Sequence, residues 1–203
     1  MTSFKGLYGI TSKAFGMSHE NSAHVFLEGG FRIIQYREKH AGFDEQVLEA
    51  GKIKKMCEEY DAAFVVNDRV DVALGARANI VHVGQEDLEI NDVKKLFRGE
   101  IGVSASSVEE AVTAERNGAA YLGVGTVFST STKTDGKVIG IEMLAKIRKD
   151  TRIPIIAIGG ITTSALEELK EAGADGIAVI SAVLAAHYPV EAAKDFVRRW
   201  EDC

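Results

Sequence analysis

An eightfold alternation limits what this chain can fold into more than any other feature. Short, nearly continuous apolar runs rich in Val and Ile fall at residues 6–12, 32–37, 63–67, 80–84, 101–105, 121–127, 153–158 and 176–181. Strands that are apolar on both sides belong in parallel sheets whose two faces are covered. The stretches between them carry helical spacing: 18–27, 43–60, 70–76, 91–97, 107–117, 141–149, 163–172 and 189–200. The longest, 43–60, sets Val47, Leu48, Gly51, Ile53 and Cys57 near one face. Ser107 followed by Glu110 predicts a capping box, and Gly173 a helix stop. Alternating βα units in this number predict an α/β fold, a single-domain (β/α)8 barrel spanning 1–203. An open doubly wound sheet is the alternative.

Composition narrows the function class. The chain has 203 residues, 46% hydrophobic and 27% charged, which suits one globular core. With 30 acidic and 24 basic side chains the formal net charge is −6, which argues against a general nucleic-acid surface. No apolar run approaches the roughly 18 residues of a membrane span. The opening MTSFKGLYGI lacks the pattern of a signal peptide, and Cys57 and Cys203 form no disulfide framework, so a cytoplasmic protein with reduced thiols is expected.

In a barrel the active site forms at the carboxyl ends of the strands. Polar residues cluster just there. Gln35, Tyr36, Arg37, Glu38 and Lys39 close the second run, Asn67 and Asp68 the third, Gln85, Glu86 and Asp87 the fourth. Ser104 lies in the fifth, Ser129, Thr130, Ser131, Thr132 and Lys133 follow the sixth, Gly159 and Gly160 the seventh, and Ile180 and Ser181 end the eighth. Arg37, Lys39 and Lys133 are three cations converging from separate strand ends, suited to a diphosphate. Asp68 and Asp87, on neighbouring strands, suit Mg²⁺, which uses one or two carboxylates plus phosphate oxygens. Either could instead cap the helix that follows it, and Asp71 and Glu86 compete for the ligand role. The Gly159–Gly160 turn allows close backbone approach to a ligand. The hydroxyl-rich 129–132 loop suits a second phosphate cradle or a lid. His82, inside an apolar run, is expected to be an interior histidine. No zinc spacing, G-x-S-x-G elbow or dinucleotide glycine motif occurs, which points to chemistry driven by stabilising a leaving group.

These segments also carry a resemblance. Gln-Tyr-Arg-Glu-Lys (35–39), Asn-Asp-Arg-Val-Asp-Val-Ala-Leu (67–74), Val-His-Val-Gly-Gln-Glu-Asp-Leu (81–88), Gly-Val-Ser (102–104), Thr-Ser-Thr-Lys (130–133), Ala-Ile-Gly-Gly-Ile (157–161) and Gly-Ala-Asp-Gly-Ile-Ala-Val-Ile-Ser (173–181) together resemble the thiamine phosphate synthases, from first strand to last. The resemblance implies an enzyme joining 4-amino-5-hydroxymethyl-2-methylpyrimidine diphosphate to 4-methyl-5-(2-phosphooxyethyl)thiazole, with one Mg²⁺ per subunit. It implies that Gln35, Tyr36, Arg37, Glu38, Lys39, Asn67, Ser104 and Lys133 bind the pyrimidine diphosphate, and that Asp68 and Asp87 hold the metal. It also implies that Thr130, Ser131, Thr132, Gly160, Ile180 and Ser181 bind the thiazole phosphate, and that the partners are small phosphorylated molecules and a second copy in a homodimer. Two positions depart from the family. Ser106 stands where it often has histidine, and Thr126 where it usually has proline. The related thiazole tautomerases tend to lack the metal-ligand segments and use a histidine after the fifth strand. They are the nearest alternative, and a non-catalytic sensor of a phosphorylated thiamine precursor is a more distant one.

Overall fold

The structure, a computed structural model, describes residues 2–130 and 137–203. Strands β1 (Gly6–Ile10), β2 (Ile33–Tyr36), β3 (Ala63–Asn67), β4 (Ile80–Val83), β5 (Glu100–Ala105), β6 (Tyr121–Gly125), β7 (Ile155–Ile158) and β8 (Gly176–Val179) follow the eight apolar runs. They pair in parallel, each with the next, and β8 returns to β1 to close the barrel. This is the expected (β/α)8 architecture. Between the strands lie α1 (His19–Glu28), α2 (Phe43–Glu59), α3 (Val70–Gly75), α4 (Ile90–Leu96), α5 (Val108–Arg116), α6 (Gly140–Asp150) and α7 (Leu166–Glu171). A turn of 3-10 helix, Thr163–Ala165, leads into α7; α8 (Ser181–Leu184) and α9 (Pro189–Asp202) follow β8.

Strand alternation sorts the side chains. Outward-facing Ile34, Val66, Val81, Val103, Leu122, Ala157 and Ile177 pack under the helices. Inward-facing Tyr8, Ile10, Ile33, Val65, Ile80, Tyr121, Ile156 and Ala178, with Phe4 beneath them, fill the interior. Each such aliphatic side chain contributes about 1.5–3 kcal/mol when fully buried. Helix α2 differs in detail from its sequence pattern. Its buried positions are Gln46, Ala50, Ile53 and Cys57, while Leu48 is 68% exposed. Gln46 can take a core position because its Nε2 donates to the Ala41 carbonyl at 2.7 Å. The α5 cap also differs: Ser107 Oγ accepts from Glu110 N, but the Glu110 carboxylate reaches back to Ser106 N rather than Ser107 N.

Two interior glycines leave room for larger neighbours. A Cβ at Gly102 would stand 2.2 Å from the Tyr121 ring, and one at Gly123 would stand 2.9 Å from the His82 ring. Tyr121 is buried and stacked on Phe4, with ring centroids 4.2 Å apart, so it has nowhere to retreat. Gly102→Ala is therefore expected to cost about 2–3 kcal/mol, or roughly 5–10 °C in melting temperature. Thermal denaturation measures it, and an unchanged midpoint would show that the ring can move aside.

Candidate active site

A cavity of about 400 Å³ opens at the carboxyl ends of the strands, with Gln35, Arg37, Asn67, Ser104, Thr130, Gly160, Ile180 and Ser181 in its wall. Alternation along β2 explains the first two, since residues 35 and 37 face inward and residues 36 and 38 outward. Tyr36 is buried on the helix side, where its hydroxyl donates to Glu49 at 2.7 Å. Burial first, and then the Glu49 carboxylate, push that phenol above its ordinary range.

Glu38 also turns away from the cavity. Its carboxylate meets His19 Nε2 at 3.1 Å and Lys13 Nζ at 3.2 Å, and its Oε1 accepts from His40 N at 2.7 Å. Burial would raise its pKa, but His40 N, His19 and Lys13 together outweigh that and hold it down to about 2. Burial lowers the pKa of His19, 2% exposed, against the opposing pull of Glu38, and so favours the neutral imidazole. Its Nδ1 lies 2.8 Å from Thr11 Oγ1. The His19, Glu38 and Glu49 ligand atoms lie within 4.8 Å of one another, but Lys13 already supplies the cation between the two carboxylates. The strand end that carries Arg37 and Lys39 is thus held from its outer side.

Asp68 and Asp87 do not line the main cavity. They lie together in a second groove of about 370 Å³, which Arg69, Leu74, Leu88 and Leu96 also line. Neither caps a helix by its side chain: Arg69 and Glu89 occupy the cap positions of α3 and α4. Asp68 adopts φ +58°, and its amide donates to the His82 carbonyl at 2.8 Å. Asp87 Oδ2 accepts from Gly84 N at 2.7 Å across a tight turn. Burial, and then the adjacent Asp87 carboxylate, raise Asp68 from 3.8 to about 6, with Lys39 and Arg37 offsetting part of the rise. Two carboxylates in each other's field, one disfavoured as an anion, form a donor set that a divalent cation would relieve. These residues therefore fit Mg²⁺. Among the remaining expected positions, Lys39 acts on Asp68 through its charge without lining the cavity, and Ser131, Thr132 and Lys133 lie outside the described residues.

The glycine turn after β7 has a second use. Gly159 and Gly160 take φ +102° and +62°, and a Cβ at Gly160 would stand 2.4 Å from the Ser129 carbonyl. The glycines let the turn nest against the segment that follows β6, besides opening it toward the cavity. Tyr8 and Tyr121, which no strand-end motif marked, also line the cavity, together with Thr162 beside the glycine turn and His82, the expected interior histidine. Period-two alternation in β1 and β6, set against the register, would have placed the two tyrosines inside.

The profile of a family described as "Thiamine monophosphate synthase" matches residues 7–183. The chain belongs to the thiamine monophosphate synthase family. A thiamine-phosphate synthase of Caldivirga maquilingensis is 46% identical over 200 residues, covering 98% of each chain. One from Pyrococcus furiosus is 47% identical over 182 residues, covering 89% of this chain and 87% of its own. A solved thiamine phosphate pyrophosphorylase from Pyrococcus furiosus superposes with a TM-score of 0.91 at 41% identity, covering 97% and 96% of the two chains. Membership in the synthase family carries a transferase activity in thiamine biosynthesis, which acts on small phosphorylated substrates. Orotidine 5'-phosphate decarboxylase from Pyrococcus horikoshii, at 18% identity and TM-score 0.68, shares the fold alone. Among the described residues, no helix is long and apolar enough to cross a membrane.

Proposed function

We propose that the chain joins 4-amino-5-hydroxymethyl-2-methylpyrimidine diphosphate to 4-methyl-5-(2-phosphooxyethyl)thiazole, releasing thiamine phosphate and diphosphate. The observation that carries this is the convergence of Arg37, Asn67 and Ser104 on one cavity, next to the facing carboxylates of Asp68 and Asp87. Gln35, Arg37, Asn67 and Ser104 bind the pyrimidine diphosphate from within the cavity, and Lys39 and Lys133 join Arg37 in stabilising the leaving group. Tyr36 and Glu38 serve the same substrate indirectly, by fixing the strand end from outside the barrel. Thr130, Ser131, Thr132, Gly160, Ile180 and Ser181 take the thiazole phosphate.

The carbon–oxygen bond between the pyrimidine methylene and the diphosphate breaks, and its electron pair leaves with the diphosphate. The thiazole nitrogen then supplies the pair that forms the carbon–nitrogen bond to the methylene cation. The cations stabilise charge that grows as the bond breaks, which is where binding raises turnover. One Mg²⁺ per subunit, held by Asp68 and Asp87, would supply further neutralisation of the departing diphosphate. The same reading makes residues 1–203 one catalytic domain, cytoplasmic and homodimeric, with no nucleic-acid or membrane partner.

Mixing the purified chain with both substrates and Mg²⁺ tests the assignment by the identity of the product. Thiamine phosphate and diphosphate in equal amounts are expected. Rearrangement of a thiazole carboxylate phosphate without any pyrimidine substrate would identify a tautomerase instead.

A further inference from the structure

Five polar groups cross the barrel floor in one hydrogen-bonded line. Gln35 Nε2 donates to Tyr8 Oη at 2.8 Å; Tyr8 Oη lies 2.9 Å from Tyr121 Oη; Tyr121 Oη lies 3.0 Å from His82 Nδ1; and His82 Nε2 lies 2.9 Å from Ser104 Oγ. Both ends, Gln35 and Ser104, stand in the cavity wall. The middle is built into the fold: Gly102 and Gly123 vacate the space that the Tyr121 and His82 rings occupy.

The line has a direction. Gln35 donates to Tyr8, and one arrangement then gives each hydroxyl and the imidazole both a donor and an acceptor within the line: Tyr8 donates to Tyr121. Tyr121 in turn gives its own to His82 Nδ1. A neutral imidazole that accepts at Nδ1 carries its proton on Nε2 and donates it to Ser104 Oγ. Burial raises both phenols above their ordinary range, so each keeps its proton throughout the working pH range.

We infer that Tyr8, Tyr121 and His82 are positioning residues that fix the Ser104 hydroxyl as a hydrogen-bond donor into the cavity, matched to an acceptor on the substrate such as a phosphate oxygen. This rests on the synthase reading above. The orientation is the reverse of a serine–histidine nucleophile pair, in which Nδ1–H is donated to a carboxylate and Nε2 is free to take the serine proton. In this arrangement Nε2 carries the proton, so Ser104 is not activated for attack. Its donated hydrogen bond strengthens as negative charge gathers on the leaving group, and the aligned dipoles behind it reinforce it.

Two measurements test the relay. Nitrogen-15 NMR of the histidine-labelled, substrate-free protein is expected to show His82 as the neutral Nε2–H tautomer, with an unprotonated Nδ1. An Nδ1–H tautomer would overturn the relay without touching the synthase assignment, which stands or falls on the products formed. In kinetics, Ser104→Ala and His82→Leu are each expected to lower kcat/KM for the pyrimidine diphosphate about 10- to 100-fold. The double variant should lose no more than the worse single one, because both remove the same bond. His82→Gln, whose amide can donate near the Nε2 position, should recover most of the loss. Multiplying losses in the double variant, or a glutamine no better than leucine, would mean that His82 acts only by filling space.

Discussion

Asp68→Asn should lose about 10²–10⁴-fold in turnover and yet melt higher than the unsubstituted chain when both are free of metal. The loss follows from removing one of the two carboxylates read as Mg²⁺ ligands, since a metal bound to a leaving phosphate supplies several kcal/mol and each 1.36 kcal/mol is tenfold. The gain in stability follows from the carboxyl's environment. Burial and the neighbouring Asp87 raise Asp68 from 3.8 to about 6 in the folded chain. A folded-state pKa above the unfolded one means that the native state holds the proton more tightly. Stability then falls as pH rises from about 4 to about 6, and the full penalty persists above that window. Asparagine removes the charge and tolerates the φ of +58° found there. Discounted for the solvent that reaches this carboxyl, the gain is about 1–2 kcal/mol, or roughly 2–8 °C at pH 7.5. Added Mg²⁺ should raise the melting temperature of the unsubstituted chain and leave the variant unmoved. Asp87→Ala should lose turnover similarly, with excess Mg²⁺ restoring little. A metal-free Asp68→Asn that melts lower would make the carboxylate a structural element instead.

Arg37→Ala is expected to have the second largest effect, about 10²–10³-fold in kcat/KM for the pyrimidine diphosphate. Arg37 lines the cavity and its charge reaches Asp68, so the substitution removes a cation from both the diphosphate and the metal side. Arg37→Lys should recover only part of the loss, because a point charge cannot reproduce a planar bidentate fork on phosphate oxygens. Steady-state kinetics with each substrate varied in turn separates the effects: the thiazole phosphate KM should change far less than that of the pyrimidine diphosphate. Equal loss toward both substrates would place Arg37 in the support of the whole rim instead.

The barrel was legible because apolar runs and helical stretches alternate with little interruption, and because both strand faces are apolar. The rim was legible for a related reason, since polar residues placed just after such runs have nowhere else to go in this fold. What escaped depended on neighbours that are distant in sequence. Tyr36 and Glu38 sit inside a strand-end motif with Arg37, and only the outward half of the alternation, met by Glu49, His19 and Lys13, separates them from it. The Tyr8–Tyr121–His82 line needs the register that sets Gly102 opposite both His82 and Tyr121, and a single strand's pattern does not carry register. Leu48 is exposed because the buried stripe of α2 runs through Gln46, Ala50, Ile53 and Cys57, with Gln46 satisfied there by the Ala41 carbonyl.

The most direct measurement is diphosphate release by the purified chain, with Mg²⁺ and each substrate omitted in turn. Release should require the metal, the pyrimidine diphosphate and the thiazole phosphate together, and should fall to background in Asp68→Asn. Full release without Mg²⁺, or no release from the complete mixture, would contradict leaving-group stabilisation at this rim.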